Sequence, residues 1–201
     1  MENEVSTQPR LRISPQEYLE RERKAEIKCE YLDGEMFAMS GVTREHAIIV
    51  MNLATELNIQ FRDRSCEVYS SDLRVKASAT DLYTYPDVVG LCGQPEFEDD
   101  KVDTLVNPQF IVEVLSPSTE SYDRGKKFAH YRTIASLREY VLVSQTECRV
   151  EKFTRQDDGS WIYTECSDPN GSIELSSAAC RVDVSRIYHK VNFEPADTDR
   201  R

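Results

Sequence analysis

Two short apolar runs each carry one carboxylate. Asp87 sits in Tyr85-Pro86-Asp87-Val88-Val89, and Glu113 sits in Phe110-Ile111-Val112-Glu113-Val114-Leu115. An unpaired carboxylate is expensive to bury, so an acid flanked by Ile111, Val112, Val114 and Leu115 calls for a metal or a basic partner. The two acids lie 26 residues apart on separate predicted strands. If those strands are neighbours, both carboxylates can converge on one oxygen-donor site of the kind that suits Mg²⁺ or Mn²⁺. A metal there would polarise a phosphoryl oxygen and lower the pKa of a water molecule. A nearby lysine would orient that water and stabilise the developing negative charge. Asp123-Arg124-Gly125-Lys126-Lys127 follows on a predicted helix and brings a lysine pair close in the chain.

Each of these residues also has a plainer reading. Asp87 follows a proline at a strand start, where an acid can simply accept from backbone donors. Asp123 and Lys127 are spaced i,i+4, which suits a surface pair worth only about 0.2–0.5 kcal/mol. Tyr131 lies on that same helix face. His46, in a helical first turn, could act as a base, contact phosphate or bond the helix start. Glu30 and Glu35 could be solvent-facing hairpin acids, and Asp72 and Arg74 the exposed or substrate-facing side of a strand.

The elements that must hold these groups alternate between helical and strand patterns. Ser14-Pro15-Gln16-Glu17 reads as a capped helix start, with the helix running to about Lys24. Cys29–Leu32 and Glu35–Ala38 flank Asp33-Gly34, a strong two-residue hairpin signal. A long helix from Thr43 to about Arg62 would share Ala47, Val50, Met51, Ala54, Leu57 and Phe61 on one face. Strands are expected at 68–75, 85–91, 110–115 and 140–143, with a polar connection at 77–84 and an acidic loop at 93–103. A helix from about Tyr122 to Ile134 would link two strands of buried character by a crossover. A hairpin around Asp157-Asp158-Gly159-Ser160 is expected away from this central unit, followed by a short helix at 185–191. The order implies an α/β fold with a mixed β-sheet flanked by helices and additional β-hairpins.

The 201 residues suit a single domain, taken as 13–191, between a flexible lead (1–12) and a polar tail (192–201). No apolar run is long enough to span a membrane and the N-terminus lacks a signal-peptide core, so no membrane partner and a cytoplasmic location are expected. Six cysteines without a CxxC pair or nearby histidines read as free thiols. A net charge of −11 argues against a general nucleic-acid coat protein but leaves room for a metal-assisted site. The chain carries no GxSxG elbow, phosphate-binding GxxxxGK[ST] loop, GxGxxG fingerprint or HExxH, and no organic cofactor is expected.

Pro86-Asp87 and Glu113-Val114-Leu115 resemble the PD-(D/E)XK nuclease signature, which places a lysine two residues past the second acid. Leu115 stands at that position here. In variants of that superfamily an adjacent helix supplies the lysine, which makes Lys127, ahead of Lys126, the candidate. The wider pattern joins Glu30-Tyr31-Leu32-Asp33-Gly34-Glu35, His46, the Asp87 and Glu113 blocks, Tyr122–Lys127, Tyr131 and Glu139–Val143. Over about residues 12–192 it resembles the Uma-two family, classed with restriction endonucleases. The resemblance implies a restriction-endonuclease-like core and a Mg²⁺-dependent endonuclease acting on DNA, leaving a 5′-phosphate and a 3′-hydroxyl. Asp87, Glu113 and the backbone carbonyl of Val114 would hold the metal, and Lys127 would orient the water. Glu35, in preference to Glu30, would approach the site, with His46 and Tyr131 as further accessories. A homodimer is expected, because cutting two strands needs two sites. Many family members have an Asp after the Tyr-Val-Leu-Val-type strand, where this chain has Ser144-Gln145. The competing reading is an inactive nuclease-fold module that binds a partner or nucleic acid.

Overall fold

A computed structural model describes residues 12–193. The expected lead and tail lie outside the described residues, apart from residues 12, 192 and 193. The Ser14 hydroxyl accepts from the Glu17 N–H at 3.1 Å and caps α1 (Pro15–Glu22). Asp33 and Gly34 both adopt positive φ, 46° and 89°, and join β1 (Cys29–Leu32) to β2 (Glu35–Ala38) as a two-residue turn requires.

Thr43 caps α2 (Arg44–Phe61). The buried face of α2 is His46, Ile49, Leu53, Leu57 and Phe61, rotated from the expected one, and Met51 is 66% exposed. The run Ala47-Ile48-Ile49-Val50-Met51 is apolar on every side, so periodicity alone left more than one stripe open.

The single strand expected at 68–75 is two strands in different sheets, β3 (Cys66–Ser70) and β4 (Arg74–Ala77), separated by a turn at 71–73. The expected polar connection contains β5 (Leu82–Thr84). Next come β6 (Val88–Cys92), β7 (Thr104–Leu105) and β8 (Phe110–Leu115). The predicted crossover helix is α3 (Glu120–Tyr122), a π-helical turn (Asp123–Lys127) and α4 (Phe128–Tyr131). Then follow β9 (Glu139–Ser144), β10 (Val150–Arg155) and β11 (Trp161–Cys166). An unforeseen hairpin, β12 (Ser172–Leu175) and β13 (Cys180–Asp183), precedes α5 (Val184–Ile187).

The central six-stranded sheet has the order β11-β10-β9-β8-β6-β3, and a five-stranded sheet runs β2-β1-β5-β4-β7. β8 and β9 are parallel neighbours across the crossover, and β6 lies antiparallel to β8, with Val88 opposite Val112. β10 pairs with β9, so the late hairpin extends the central sheet instead of lying away from it. Alternation along β8 fixes its two faces. Phe110, Val112 and Val114 join the core shared with α2, β13 and α5, whereas Ile111 and Leu115 join the core under Phe128 and Tyr131. Gly90 lets β6 approach β8, because a Cβ there would stand 2.3 Å from the Phe110 ring.

Cys66 and Cys92, opposite each other on β3 and β6, are joined in a disulfide, which corrects the expectation of six free thiols. Their separation of 26 residues gave no local spacing signal. Cys29, Cys148, Cys166 and Cys180 are free. Among the described residues no helix is long and apolar enough to cross a membrane.

Candidate functional site

The pleat of β8 decides where Glu113 points. It lies between Ile111 and Leu115 on the face covered by the helical segment 120–131, and it is 4% exposed. That segment is pinned to the sheet by Phe128 stacked on Tyr140 at 5.0 Å, and by the Tyr140 hydroxyl donating to the Asp123 carbonyl at 3.1 Å. Lys127 therefore descends onto Glu113: Nζ lies 2.9 Å from Glu113 Oε1, 3.4 Å from Glu30 Oε1 and 3.6 Å from Asp123 Oδ1. The plain reading of Asp123 and Lys127 as a surface pair does not hold, since both are buried. Lys126, one residue earlier, is exposed. The turn that aims Lys127 is π-helical, a feature frequent at functional sites.

Asp87 precedes β6 at the end of the sheet where β8 finishes. Its Oδ2 accepts from the Val114 N–H at 2.7 Å and its Oδ1 contacts His46 Nε2 at 2.9 Å. The backbone-acceptor role considered for Asp87 is thus present, but alongside placement in the cavity. Capping by Thr43 puts His46 in the first turn of α2, within reach of Asp87. Tyr131 donates to Glu113 Oε1 at 2.8 Å, and burial holds its hydroxyl well above the usual phenol range, so it remains a donor. Lys127 and Tyr131 share Oε1, and neither contact occupies Oε2.

Glu30 on β1 also reaches the site. Its Oε1 accepts from the Thr84 hydroxyl and, at 3.4 Å, from the Tyr85 N–H. Glu35, preferred from sequence, lies along a separate surface depression with Ile13 and Arg21. Arg74, read as a strand surface or substrate edge, is 3% exposed; it donates to the Tyr85 hydroxyl at 2.8 Å and pairs with Asp103.

Asp87, Glu113, Glu30, Asp123, Lys127 and His46 all border one cavity of about 380 Å³. Four carboxylates thus face one ammonium and one imidazole. Burial pushes the Glu113 carboxyl up to about 8; Lys127 opposes this, and the charges of Asp87 and Asp123 add to it. Asp123 is raised too, by burial first. Burial alone would lower the Lys127 ammonium, but Glu113, Glu30 and Asp123 outweigh it and hold it well above its ordinary value. The surrounding carboxylates thus favour the charged form of Lys127.

Sequence reading missed the placement of Asp123 and Gln145 here. Asp123 was visible only as the i−4 partner of Lys127. Gln145, at the corner that follows β9, lines the cavity and accepts from the Thr43 hydroxyl at 2.7 Å. It ties the α2 cap to the end of β9. Among the described residues, no three His, Cys, Asp or Glu side chains converge tightly enough to cage a metal alone. Mg²⁺ does not require that, since it takes one or two carboxylates and completes its shell with water and substrate oxygens.

A family model described as "Uma2: Putative restriction endonuclease" matches residues 15–183. Two uncharacterized proteins of Synechocystis sp. are similar along most of the chain. One is 37% identical over 164 residues, covering 82% of this chain and 93% of the relative. The other is 36% identical over 187 residues, covering 92% and 96%. The crystal structure of a putative nuclease belonging to DUF820 from Anabaena variabilis superposes with a TM-score of 0.72 at 18% identity, covering 88% of this chain and 97% of that one. At that identity the likeness establishes a shared fold.

Proposed function

The chain belongs to the Uma2 family of restriction-endonuclease type, and we propose that it is a Mg²⁺- or Mn²⁺-dependent endonuclease that hydrolyses phosphodiester bonds in DNA. The observation that carries this reading is the surplus of carboxylates over cations around one cavity at the ends of β6 and β8. Unpaired negative charge is costly to bury, and a hard divalent cation offsets it while using the oxygen donors present. Asp87, Glu113 and the Val114 carbonyl would hold the metal. When bound, the metal supplies Lewis-acid polarisation of the phosphoryl oxygen and a lowered pKa for water.

The remaining work falls to this chain's side chains. Lys127, charged and fixed against Glu113 Oε1, orients the attacking water and stabilises charge developing on the phosphoryl oxygens. It stands in for the in-line lysine that Leu115 replaces. His46 positions Asp87, and Tyr131 positions Glu113. Glu30 and Asp123 hold the Lys127 ammonium in place. A two-fold homodimer would bring two such sites to a duplex or to neighbouring strands.

Incubating purified protein with plasmid and with short oligonucleotides, in Mg²⁺ or Mn²⁺ and beside Asp87→Ala, tests the reading. Cleavage that disappears in EDTA and in the variant supports it. Cleavage that survives Asp87→Ala sinks it. A flat Mn²⁺ calorimetric titration with no cleavage would favour the inactive interaction module instead.

A further inference from the structure

Phe37 is an exposed aromatic residue at the edge of the site. It lies directly opposite Glu30 in the β1–β2 hairpin, so the two side chains stand together on one face. Glu30 reaches Lys127 inside the cavity, and Phe37 forms part of the wall while remaining 48% exposed. The loop that continues from β2 adds Met39 and Val42 to the same wall, with Val42 61% exposed. One wall of the catalytic cavity is therefore apolar and open.

The cations of the cavity are committed. Among the described residues that line it, the basic side chains are Lys127, shared by three carboxylates, and His46, bonded to Asp87. Nearby arginines are also engaged: Arg124 pairs with Glu120 and Glu151, and Arg44 with Glu45. Duplex binding draws its affinity from several phosphates neutralised by Lys and Arg. The wall offers a stacking surface instead, and the cavity volume of about 380 Å³ suits a single nucleotide-sized group.

We propose that the site takes an unpaired nucleotide of a DNA strand, with its base stacked on Phe37, and that single-stranded or locally unpaired DNA is the preferred substrate. This rests on the nuclease reading above. Stacking on an aromatic side chain suits any base, because every base has a π face. It would also hold the adjoining phosphodiester beside Asp87 and Glu113, where the metal of the nuclease reading would offset the phosphate charge.

The test pairs binding with cleavage. Anisotropy of a labelled 12-mer, single-stranded or in a blunt duplex, is measured in Ca²⁺ for the wild type, Phe37→Ala and Phe37→Trp. The expected result is tighter binding of the single strand, weakened on the order of tenfold by Phe37→Ala and retained by Phe37→Trp. Cleavage in Mn²⁺ should follow the same order, with the Phe37→Ala loss carried by KM. Duplex binding equal to or tighter than single-strand binding overturns the proposal. So does undetectable single-strand binding, or affinity that ignores Phe37→Ala. Because Phe37 is exposed, an unchanged melting temperature is expected for both variants. Phe37-dependent binding without any cleavage would sink the nuclease reading while leaving the stacking site standing.

Discussion

Two acid-rich networks lie a short distance apart, on either side of Tyr85. In one, Asp99 and Asp103 face Arg23, which bonds both, while Arg74 joins Asp103 and the Tyr85 hydroxyl. In the other, Glu30, Asp87, Glu113 and Asp123 face Lys127 and His46. In the first, guanidinium forks pair Asp99 and Asp103, a geometry that suits carboxylates, and Glu22 accepts from the Tyr85 hydroxyl. The hydrogen bond from Arg23 leads the causes that hold the Asp103 carboxyl well below its usual range. The second is short of positive charge, and burial pushes Glu113 up to about 8. The shifts run in opposite directions in similar residues, and on the nuclease reading proposed above the second network is the one poised for a ligand.

The sharpest way to break this comparison is to remove the single ammonium of the second network. Lys127→Ala should cost on the order of 10²–10³ in cleavage rate, the scale of losing one preorganised charge donor. Lys126→Ala, at an exposed position on the same turn, should leave the rate unchanged. Initial rates on one oligonucleotide substrate would compare the two. Equal losses would mean that the helix, and not the Lys127 contact with Glu113, is what matters.

The first network should respond in stability. Arg74→Met removes a buried cation from Asp103 and Tyr85, and a cost of about 3 kcal/mol is expected in urea unfolding at pH 7. The depressed Asp103 carboxyl contributes stability above its unfolded value, and that stability is lost as pH falls. The gap between wild type and variant should therefore narrow on acidification. A gap independent of pH would point instead to the lost placement of the Arg74 guanidinium over the Tyr18 and Tyr85 rings.

The parts legible in the sequence were those set by local chemistry. Asp33-Gly34 dictated the β1–β2 hairpin, and the apolar neighbours of Glu113 marked it as an acid needing a partner. The same logic applies to Glu139, equally buried on β9, yet its partners are the backbone N–H groups of Ser176 and Ser177. A buried acid alone thus does not identify a site. The division of 66–77 between two sheets was not legible, because Ser71 and Asp72 turn the chain without glycine or proline. Nor was the Cys66–Cys92 bond, which exists only once β3 and β6 pair. Glu30 and Glu35 share one face of the hairpin, and it is Glu30, set back from the turn, that meets Lys127 of the segment 120–131, a matter of tertiary packing.

The smallest expected effect bears most directly on the comparison. If the second network is strained without a bound cation, Glu113→Gln should stabilise the metal-free protein near pH 8. The sign follows from linkage. A carboxyl raised from 4.5 to about 8 costs nothing below its unfolded value, where it is neutral in both states. Stability of the wild type then falls as pH rises through that window, while the glutamine variant does not follow. The difference should vanish at pH 4, grow to about pH 8 and then level. Millimolar Mn²⁺ should reverse it, because the wild-type carboxylate gains a charge partner that glutamine cannot match. Urea midpoints at several pH values, with and without Mn²⁺, would read this out. A wild type that is the more stable at every pH without metal would mean that Lys127 already balances Glu113, and the contrast between the two networks would collapse.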